Sequence, residues 1–444
     1  MLPLPVFQSG DISMSLAHHS HHDMGAKRKF GLGLFGIGIL MLLISLTGIG
    51  NERPWLFFFI SFGLASVGGL VYFFGQLRAS TFGVKNNHIF FNAATSRGSI
   101  AWLIAVSFTS FYIILYWFPG LLSNWIRLVD PLSYLLRGKP ADQWFLYGVF
   151  YTLAVLVMGT RMLVKYRHSK YQILRTSSVM FFQLGFAFLM PAVLEMLNQP
   201  GFYFTYFWPL RPYSLWPNDV QYLLNHPGGL GIFMIFWGVV MTFIATPVLT
   251  YFFGKRWYCS WVCGCGGLAE TLGDPFRQLS DKSLNAWKTE RIIIYSVLIF
   301  ISLTTALLWI NSYSEGGIFG VLSENLSIIY GFLIGSVFSG VIGTGFYPIM
   351  GSRVWCRFGC PMAAILGILQ KYLSRFRITT NGSQCISCGN CSTYCEMGID
   401  VRAYAQRGEN IVRASCVGCG ICSAVCPRGV LNLENGPSHK HRNN

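Results

Sequence analysis

Charged side chains are scarce in this chain. Only 11% of its 444 residues are Asp, Glu, Lys or Arg, whereas 53% are hydrophobic. Length alone would suggest two or three soluble domains. Repeated apolar runs of about twenty residues, however, have the length needed to cross a lipid bilayer. The composition therefore predicts a polytopic membrane protein.

Several chemical motifs are missing as well. The sequence has no Walker loop, no dinucleotide-binding fingerprint, no Ser/His/Asp set and no general acid/base pair, which argues against hydrolytic or nucleotide chemistry. None of the nine histidines falls in a predicted span, and this excludes a transmembrane haem b pair held by two imidazoles. The thirteen cysteines cluster in motifs, a pattern that favours metal ligation under reducing conditions over disulfides.

The apolar runs predict about eight spans, at 30–50, 55–75, 100–123, 144–164, 178–197, 230–253, 292–311 and 326–350. If the N-terminus is cytoplasmic, 28 of the 33 Lys and Arg residues fall on the cytoplasmic side. The positive-inside rule then places both termini in the cytoplasm, at a bacterial inner membrane. We attribute the net charge of +16 to topology and to attraction by anionic lipid, and we expect no nucleic-acid partner.

Two cysteine runs near the C-terminus have the spacing of a bacterial two-cluster ferredoxin. In such runs the fourth Cys ligates the other cluster. We therefore expect one [4Fe-4S] cluster on Cys385, Cys388, Cys391 and Cys426, and a second on Cys416, Cys419, Cys422 and Cys395. Ile386 and Val417 are placed to shield the clusters from water, and Glu396 stands where the pattern often has Pro. Structural zinc and disulfides are the alternative interpretations.

A second cysteine pattern is repeated at an offset of 97 residues. Cys259-x3-Cys263 follows the sixth predicted span, and Cys356-x3-Cys360 follows the eighth. Cysteines at i and i+4 lie on one face of a helix. Two such turns at the cytoplasmic membrane surface could offer four thiolates to a third metal centre, with Arg256 and Arg353 offsetting its negative charge. Cys265 is an alternative ligand or a spare.

Other interpretations of these turns stay open. Redox-active thiols, a copper site, or cysteines used only as small buried residues would also fit the pattern. Surface helices are expected at 274–291 and 362–377, where charged residues surround apolar ones.

The predicted fold is therefore mainly α: a helical membrane bundle with a small C-terminal α+β two-cluster ferredoxin-like domain. The predicted chain begins with a tail at 1–29, which contains His18, His19, His21 and His22, and continues with six spans at 30–253. Residues 254–378 contain the Cys turns, spans seven and eight and the surface helices. The ferredoxin-like domain follows at 379–435, and a tail at 436–444 ends the chain.

Two further features lie on the predicted outer side. Glu195 stands near the outer end of the fifth span and is a candidate proton acceptor from a quinol, although hydration at the interface would also explain it. The loop 198–229 is crowded with aromatic residues. It could cover a quinone head group, receive a partner protein, or form an interfacial aromatic belt.

The combination of spans, two Cys-x3-Cys turns and a C-terminal two-cluster ferredoxin resembles the membrane polyferredoxin superfamily. That superfamily includes the quinol-oxidising membrane component of the periplasmic nitrate reductase system, nitrous-oxide-reductase maturation regulators and 4Fe-4S cytochrome oxidase accessory proteins. The resemblance covers about residues 230–435. The first turn departs from it, because Cys263-Gly264-Cys265 replaces the usual Cys-Pro.

The resemblance implies a quinol-dehydrogenase-type electron-transfer subunit that links the quinone pool to a redox partner protein in respiration. The alternative is a metal (copper) reductase or assembly factor for a respiratory metalloenzyme, which the His-containing tail and the Cys-Gly-Cys turn favour. A redox sensor ranks last, because the sequence has no dedicated signalling segment.

Overall fold

The computed structural model describes residues 25–79, 96–316 and 318–436, so the histidine group of the N-terminal tail lies outside the described residues. Eight helices in the described part are long and apolar enough to cross a membrane: Ala26–Ser45, Pro54–Gly75, Ser99–Trp117, Gln143–Lys165, Lys170–Met196, Leu230–Phe253, Leu284–Tyr313 and Gly320–Ile342. We number them as spans one to eight. The prediction of a helical bundle of about eight spans is confirmed.

Shorter elements connect and interrupt these spans. Stretches of π-helix lie at Phe182–Leu189, Met241–Ala245, Gly331–Ile342 and Trp355–Gly359. Short α-helices are Ser123–Arg137, Pro217–Asn225, Arg256–Cys259, Gly264–Thr271, Tyr347–Met350, Pro361–Tyr372, Asn390–Thr393, Val401–Arg407 and Ile421–Ala424. Turns of 3-10 helix are Pro119–Leu122, Pro212–Leu215, Asp274–Leu279 and Gly382–Gln384.

Small residues bring the first two spans together. A methyl group at Gly38 would lie 2.5 Å from the backbone nitrogen of Ala65, and one at Gly68 would lie 2.3 Å from that of Phe35. Only glycine permits this separation, so the two backbones pack directly against each other, as is common between membrane helices.

The small C-terminal domain contains one antiparallel sheet of two strands, β1 (Phe376–Thr380) and β2 (Leu431–Asn435). The register pairs Phe376 with Asn435 and Thr380 with Leu431. The sheet closes over the two cysteine runs, because β1 precedes the first run and β2 follows the second. Ile378 also forms a bridge with Ile411, which adds the segment between the two runs to the same core.

This domain is fixed to one end of the bundle by side chains from the membrane part. Tyr171 Oη donates to the Gly418 carbonyl and Gln172 Nε2 to that of Cys419, each at 2.8 Å. Gln370 Nε2 donates to the carbonyl of Cys416 at 2.7 Å. The second cysteine run is therefore held against the ends of the spans, and we call this end of the bundle the ferredoxin face.

Residues 274–291 do not form the predicted surface helix. Asp274–Leu279 is a buried 3-10 turn, and the seventh span begins already at Leu284. Asp274 and Arg277 are fully buried because they pair with charged groups inside the protein instead of facing lipid head groups. The expectation for 362–377 was closer, since Pro361–Tyr372 is helical, but one face of that helix is buried.

Asp274 is the centre of a buried ion network. Its carboxylate accepts from Arg161 and Lys165 of the fourth span, each at 2.6 Å, and from Arg277 Nε at 2.9 Å. Burial alone would raise the pKa of Asp274, but Lys165, Arg161 and Arg277 lower it well below the usual range. The carboxylate is therefore ionised and supplies negative charge to a buried group of cations.

Asp274→Asn should destabilise the protein by roughly 3–5 kcal/mol, because it leaves Arg161 and Lys165 buried without their counter-charge. The free energy of unfolding, measured by denaturant titration in detergent micelles, checks this. Glu409→Gln is the matched control, since it breaks the exposed pair with Arg407 and should cost less than about 1 kcal/mol. Equal losses in the two variants would contradict a structural role for the network.

Candidate metal centres

The first cavity in the C-terminal domain is lined by Cys385, Cys388, Cys391 and Cys426. Gly389 allows the chain to turn here, because its φ of 75° lies in the left-handed region and it begins the helix that carries Cys391. Cys388 is exposed, and Ile386 is 54% exposed despite lining the cavity. Ile386 therefore shields this site less than the sequence suggested.

The second cavity is lined by Cys416, Cys419, Cys422 and Cys395. Gly420, with a φ of 72°, repeats the role of Gly389 before the helix that carries Cys422. Val417 is 1% exposed and lines the cavity, so it can shield this site from water as the sequence suggested. The structure thus brings together each group of four cysteines that the sequence pattern paired, with the fourth member supplied by the other run.

The surroundings of these thiols fit a bound metal cluster. Burial raises the pKa of Cys416 to about 11 and that of Cys419 to about 12, so the isolated thiolates are disfavoured. Backbone N–H groups point at the sulfurs: that of Ile399 lies 3.4 Å from Cys395 Sγ. Thiolates bound to iron would accept such hydrogen bonds, which are a means of tuning iron–sulfur clusters.

The spacing of the thiols argues against a single tetrahedral ion and against disulfides. All thirteen cysteines are free thiols. Within the described ranges, three potential ligand atoms lie within 4.8 Å of one another only in the set Glu270, Glu396 and Cys419, which contains a single cysteine. Four cysteines bound to one zinc at about 2.3 Å would place their sulfurs closer to one another than 4.8 Å. The two cavities therefore suit a larger, polynuclear group.

Glu270 and Glu396 are not free to bind an ion. Arg353 donates to both carboxylates, at 2.5 and 2.9 Å. Arg277 pairs with Glu396 at 2.7 Å, and Arg175 pairs with Glu270. Burial alone would raise the pKa of Glu396, but Arg277 and Arg353 lower it. Three arginines thus surround two carboxylates, so the group is a salt-bridge cluster with no excess negative charge to hold a cation.

A third set of cysteines lies inside the bundle. Cys259, Cys263, Cys356 and Cys360 are all buried. Cys259 interacts electrostatically with Cys263 and Cys356, and Cys360 interacts with the other three. The two repeated turns therefore converge on one place, as expected if they share a centre.

Cys265 belongs to the same group. Its thiol is hydrogen-bonded to that of Cys263 and also interacts electrostatically with Cys356 and Cys360. Unlike the other four, Cys265 is exposed. Five thiols therefore converge where a four-ligand cluster would need four.

The two predicted arginines have different positions. Arg353 Nη1 lies 3.5 Å from Cys356 Sγ and donates to the Cys259 carbonyl at 3.2 Å, so its charge does face the third set. Arg256 instead lies over the rings of Phe376, at 4.4 Å, and Tyr171, at 5.7 Å. It attaches the C-terminal domain to the bundle.

The first turn of the third set lies well inside the ends of the spans. A methyl group at Gly264 would lie 3.0 Å from Gln183 Oε1 and 3.6 Å from the Tyr151 hydroxyl. Tyr151 is about four turns before the end of the fourth span at Lys165, about 20 Å along the helix axis. The chain therefore turns back into the bundle after the sixth span, and its irregular backbone is buried in protein, as membrane depth requires.

One hydrogen bond connects the second and third sets. Ser260 Oγ donates to the Val417 carbonyl at 2.8 Å. Ser260 follows Cys259, and Val417 follows Cys416, so the two sets are joined by two neighbouring residues and one hydrogen bond. Sequence reasoning missed Ser260, as it missed the anchors Tyr171, Gln172 and Gln370. The sequence signal for Ser260 was its position as a small polar residue directly after the predicted ligand Cys259.

Glu195 lies apart from all three cysteine sets. Its carboxylate accepts from Arg137 Nε at 2.6 Å and from Lys139 Nζ at 3.0 Å, and its side chain is 29% exposed. All three residues lie at the end of the bundle opposite the ferredoxin face. The structure therefore brings Glu195 together with cations and not with a candidate redox group.

Comparison with known proteins agrees with these sites. A family model described as a 4Fe-4S dicluster domain matches residues 384–431. A model described as a 4Fe-4S binding domain matches twice, at 233–283 and 330–380, with the same offset as the repeated cysteine turns. Each of these two matches contains the end of a span and the Cys turn that follows it.

One curated relative is the "Putative electron transport protein YccM" of Escherichia coli (strain K12), which is 26% identical over 154 residues. The match covers 33% of this chain and 43% of that protein, so the chain spans less than half of the relative's length. No solved structure matches the chain. The family matches and the cysteine cavities together show an iron–sulfur protein with 4Fe-4S binding domains and eight candidate membrane helices.

Exchange of the fourth ligand between the two runs can be tested directly. Cys395→Ser should change the same electron paramagnetic resonance signal as Cys416→Ser, because both thiols line the second cavity. Cys426→Ser should change the same signal as Cys385→Ser. Dithionite-reduced protein from the four variants provides the comparison. A Cys395→Ser spectrum that matched Cys385→Ser would overturn the assignment.

Proposed function

We propose that this chain is an integral membrane electron carrier that links the quinone pool to a partner oxidoreductase. When bound, 4Fe-4S clusters take up and release single electrons, and the protein sets their potential through burial and hydrogen bonds to sulfur. Cys385, Cys388, Cys391 and Cys426 would hold one cluster, and Cys416, Cys419, Cys422 and Cys395 a second. Cys259, Cys263, Cys356 and Cys360 would hold a third.

The observation that carries this proposal is the order of the three sets. The first has one exposed member, Cys388, at the surface of the C-terminal domain. The second is more buried and anchored on the spans, and the third is inside the bundle. Ser260 connects the second to the third. Such a series extends from a surface that a soluble partner can reach to a depth that a lipid-soluble quinol can reach.

The polar groups of this chain would have distinct tasks. Arg353 holds a positive charge against Cys356 and so offsets negative charge on the third set. Glu396 fixes Arg353 from the ferredoxin domain and keeps the second and third sets in register. Glu195 remains a candidate proton acceptor for a quinol at the opposite end of the bundle. The ferredoxin face would lie on the cytoplasmic side of a bacterial inner membrane.

Reduction by quinol tests the carrier function. Menaquinol or ubiquinol added to the anaerobically purified protein should bleach the cluster absorbance within seconds, and Glu195→Gln should slow the bleaching if Glu195 accepts the proton. Clusters that dithionite reduces and neither quinol reduces would exclude the quinone link. Tight copper binding that is lost on deletion of residues 18–22 would favour the alternative, a metal reductase or assembly factor.

Iron and sulfide counts test the third centre. Three cubane clusters require about twelve irons per chain, and Cys259→Ala or Cys356→Ala should reduce this to about eight. Cys265→Ala is the matched control and should retain about twelve if Cys265 is a spare. About eight irons in the wild type would eliminate the third cluster, and loss of iron in Cys265→Ala would make that residue a ligand.

A further inference from the structure

The aromatic loop opposite the ferredoxin face does not lie flat as an interfacial belt. Phe207 is fully buried, and its ring packs edge-on against Tyr258 at 5.6 Å between centroids. Tyr258 is 1% exposed and directly precedes Cys259. The aromatic loop, which enters the bundle from the face opposite the ferredoxin domain, thus contacts the cysteine turn that enters from the ferredoxin face.

Hydrogen bonds hold this loop deep between spans six and seven. Thr242 Oγ1 donates to the Trp208 carbonyl at 3.1 Å, and Trp208 Nε1 donates to Thr305 Oγ1 at 3.1 Å. By the helical rise, Thr242 and Thr305 lie about 18 and 12 Å from the ends of their spans at the opposite face. Trp216 Nε1 also donates to Thr305, at 3.2 Å. The segment 202–216 is therefore re-entrant, with its polar backbone covered by protein.

Aromatic rings continue from this contact to the surface. Tyr206 neighbours Phe207 in the chain, and its ring lies 6.2 Å from that of Tyr213. Tyr213 is 37% exposed, and Arg211 lies against it at 5.6 Å. Two ring contacts, Tyr258–Phe207 and Tyr206–Tyr213, are thus joined by the peptide link between Phe207 and Tyr206 and extend from the third cysteine set to the opposite face. We call this series the aromatic path.

We propose that the aromatic path lets the third centre exchange single electrons with a one-electron carrier at the face opposite the ferredoxin domain, so that the chain conducts electrons across the bilayer. Electron transfer slows steeply with distance and with gaps between atoms, and ring contacts joined by a covalent link leave few such gaps between the centre and the surface. In the outward direction the reduced centre loses one electron and the carrier gains it. No bond is made or broken, and one counter-ion must cross for each electron.

This inference rests on the third centre of the proposed function, but the loop residues of the path lie outside the matched family regions, while Tyr258 lies inside one of them. The lack of histidine in the spans excludes a bis-imidazole haem as the conductor. The cysteine turn after the sixth span and the loop segment 202–216 offer another route for electrons. Each covers part of the length of the bundle, and the two meet at Tyr258 and Phe207.

The test uses the full chain in sealed vesicles that contain ferricyanide, with dithionite outside and an ionophore to balance charge. The wild type should decolourise the trapped ferricyanide in either orientation. Phe207→Leu should slow this several-fold, because it removes the ring in contact with Tyr258. Phe204→Leu is the matched control, since Phe204 lies on the same loop but packs against Trp237 and Phe182.

Iron content and the electron paramagnetic resonance spectrum of the reduced third centre are measured on each variant, so that loss of the path is distinguished from loss of the centre. If Phe207→Leu loses iron, Tyr213→Leu replaces it, because Tyr213 is at the surface end of the path. A wild type that contains about eight irons lacks the third centre, and the inference then fails together with that part of the proposed function. A wild type with three intact centres and no transfer, or path variants as fast as Phe204→Leu, overturns the aromatic path alone.

Discussion

Charges buried inside a lipid-embedded bundle must find their partners within the protein, and this requirement organises the structure. Glu396 accepts from Arg277 and Arg353, and Arg353 also pairs with Glu270. Water cannot compensate for a missing member at this depth, so each ion pair fixes the position of both elements that carry it. The network connects the ferredoxin domain, the second cysteine turn and the spans, and it fixes the cysteine sets relative to one another.

The internal duplication explains how one centre can be built from two turns. Each matched copy supplies the end of a span and a Cys pair, but the pair does not share one helix face as the spacing predicted, because Cys263 and Cys360 lie beyond the helical turns that carry Cys259 and Cys356. A single copy offers two thiolates, which is half of what a cubane cluster requires. The copies also differ in a useful way: Arg353 faces the thiols, while its counterpart Arg256 packs against Phe376 and Tyr171. The two copies therefore use the same arginine position differently: Arg353 places a positive charge beside the thiols, and Arg256 attaches the ferredoxin domain to the bundle.

The sequence was sufficient for features that depend on local spacing. The eight spans and the grouping of Cys395 with Cys416 follow from apolar length and ligand periodicity, which need no knowledge of tertiary packing. The depth of Gly264 beside Gln183 and the contact between Phe207 and Tyr258 involve segments far apart in the chain, which no local pattern encodes. The charged residues at 274–291 were misread for the same reason, since a charge that pairs inside the protein looks in sequence like one that faces a lipid head group.

The uneven exposure of the three cysteine sets bears on how such a protein would work. Cys388 and Ile386 are exposed, so a soluble partner can approach the first set closely. Val417 is buried, and Arg277 and Arg353 pair with Glu396 beside the second set. Clusters in more buried, differently charged surroundings have different potentials. Clusters held by these three sets would therefore differ in potential, and Arg353, which contacts both Glu396 and Cys356, would influence two of them.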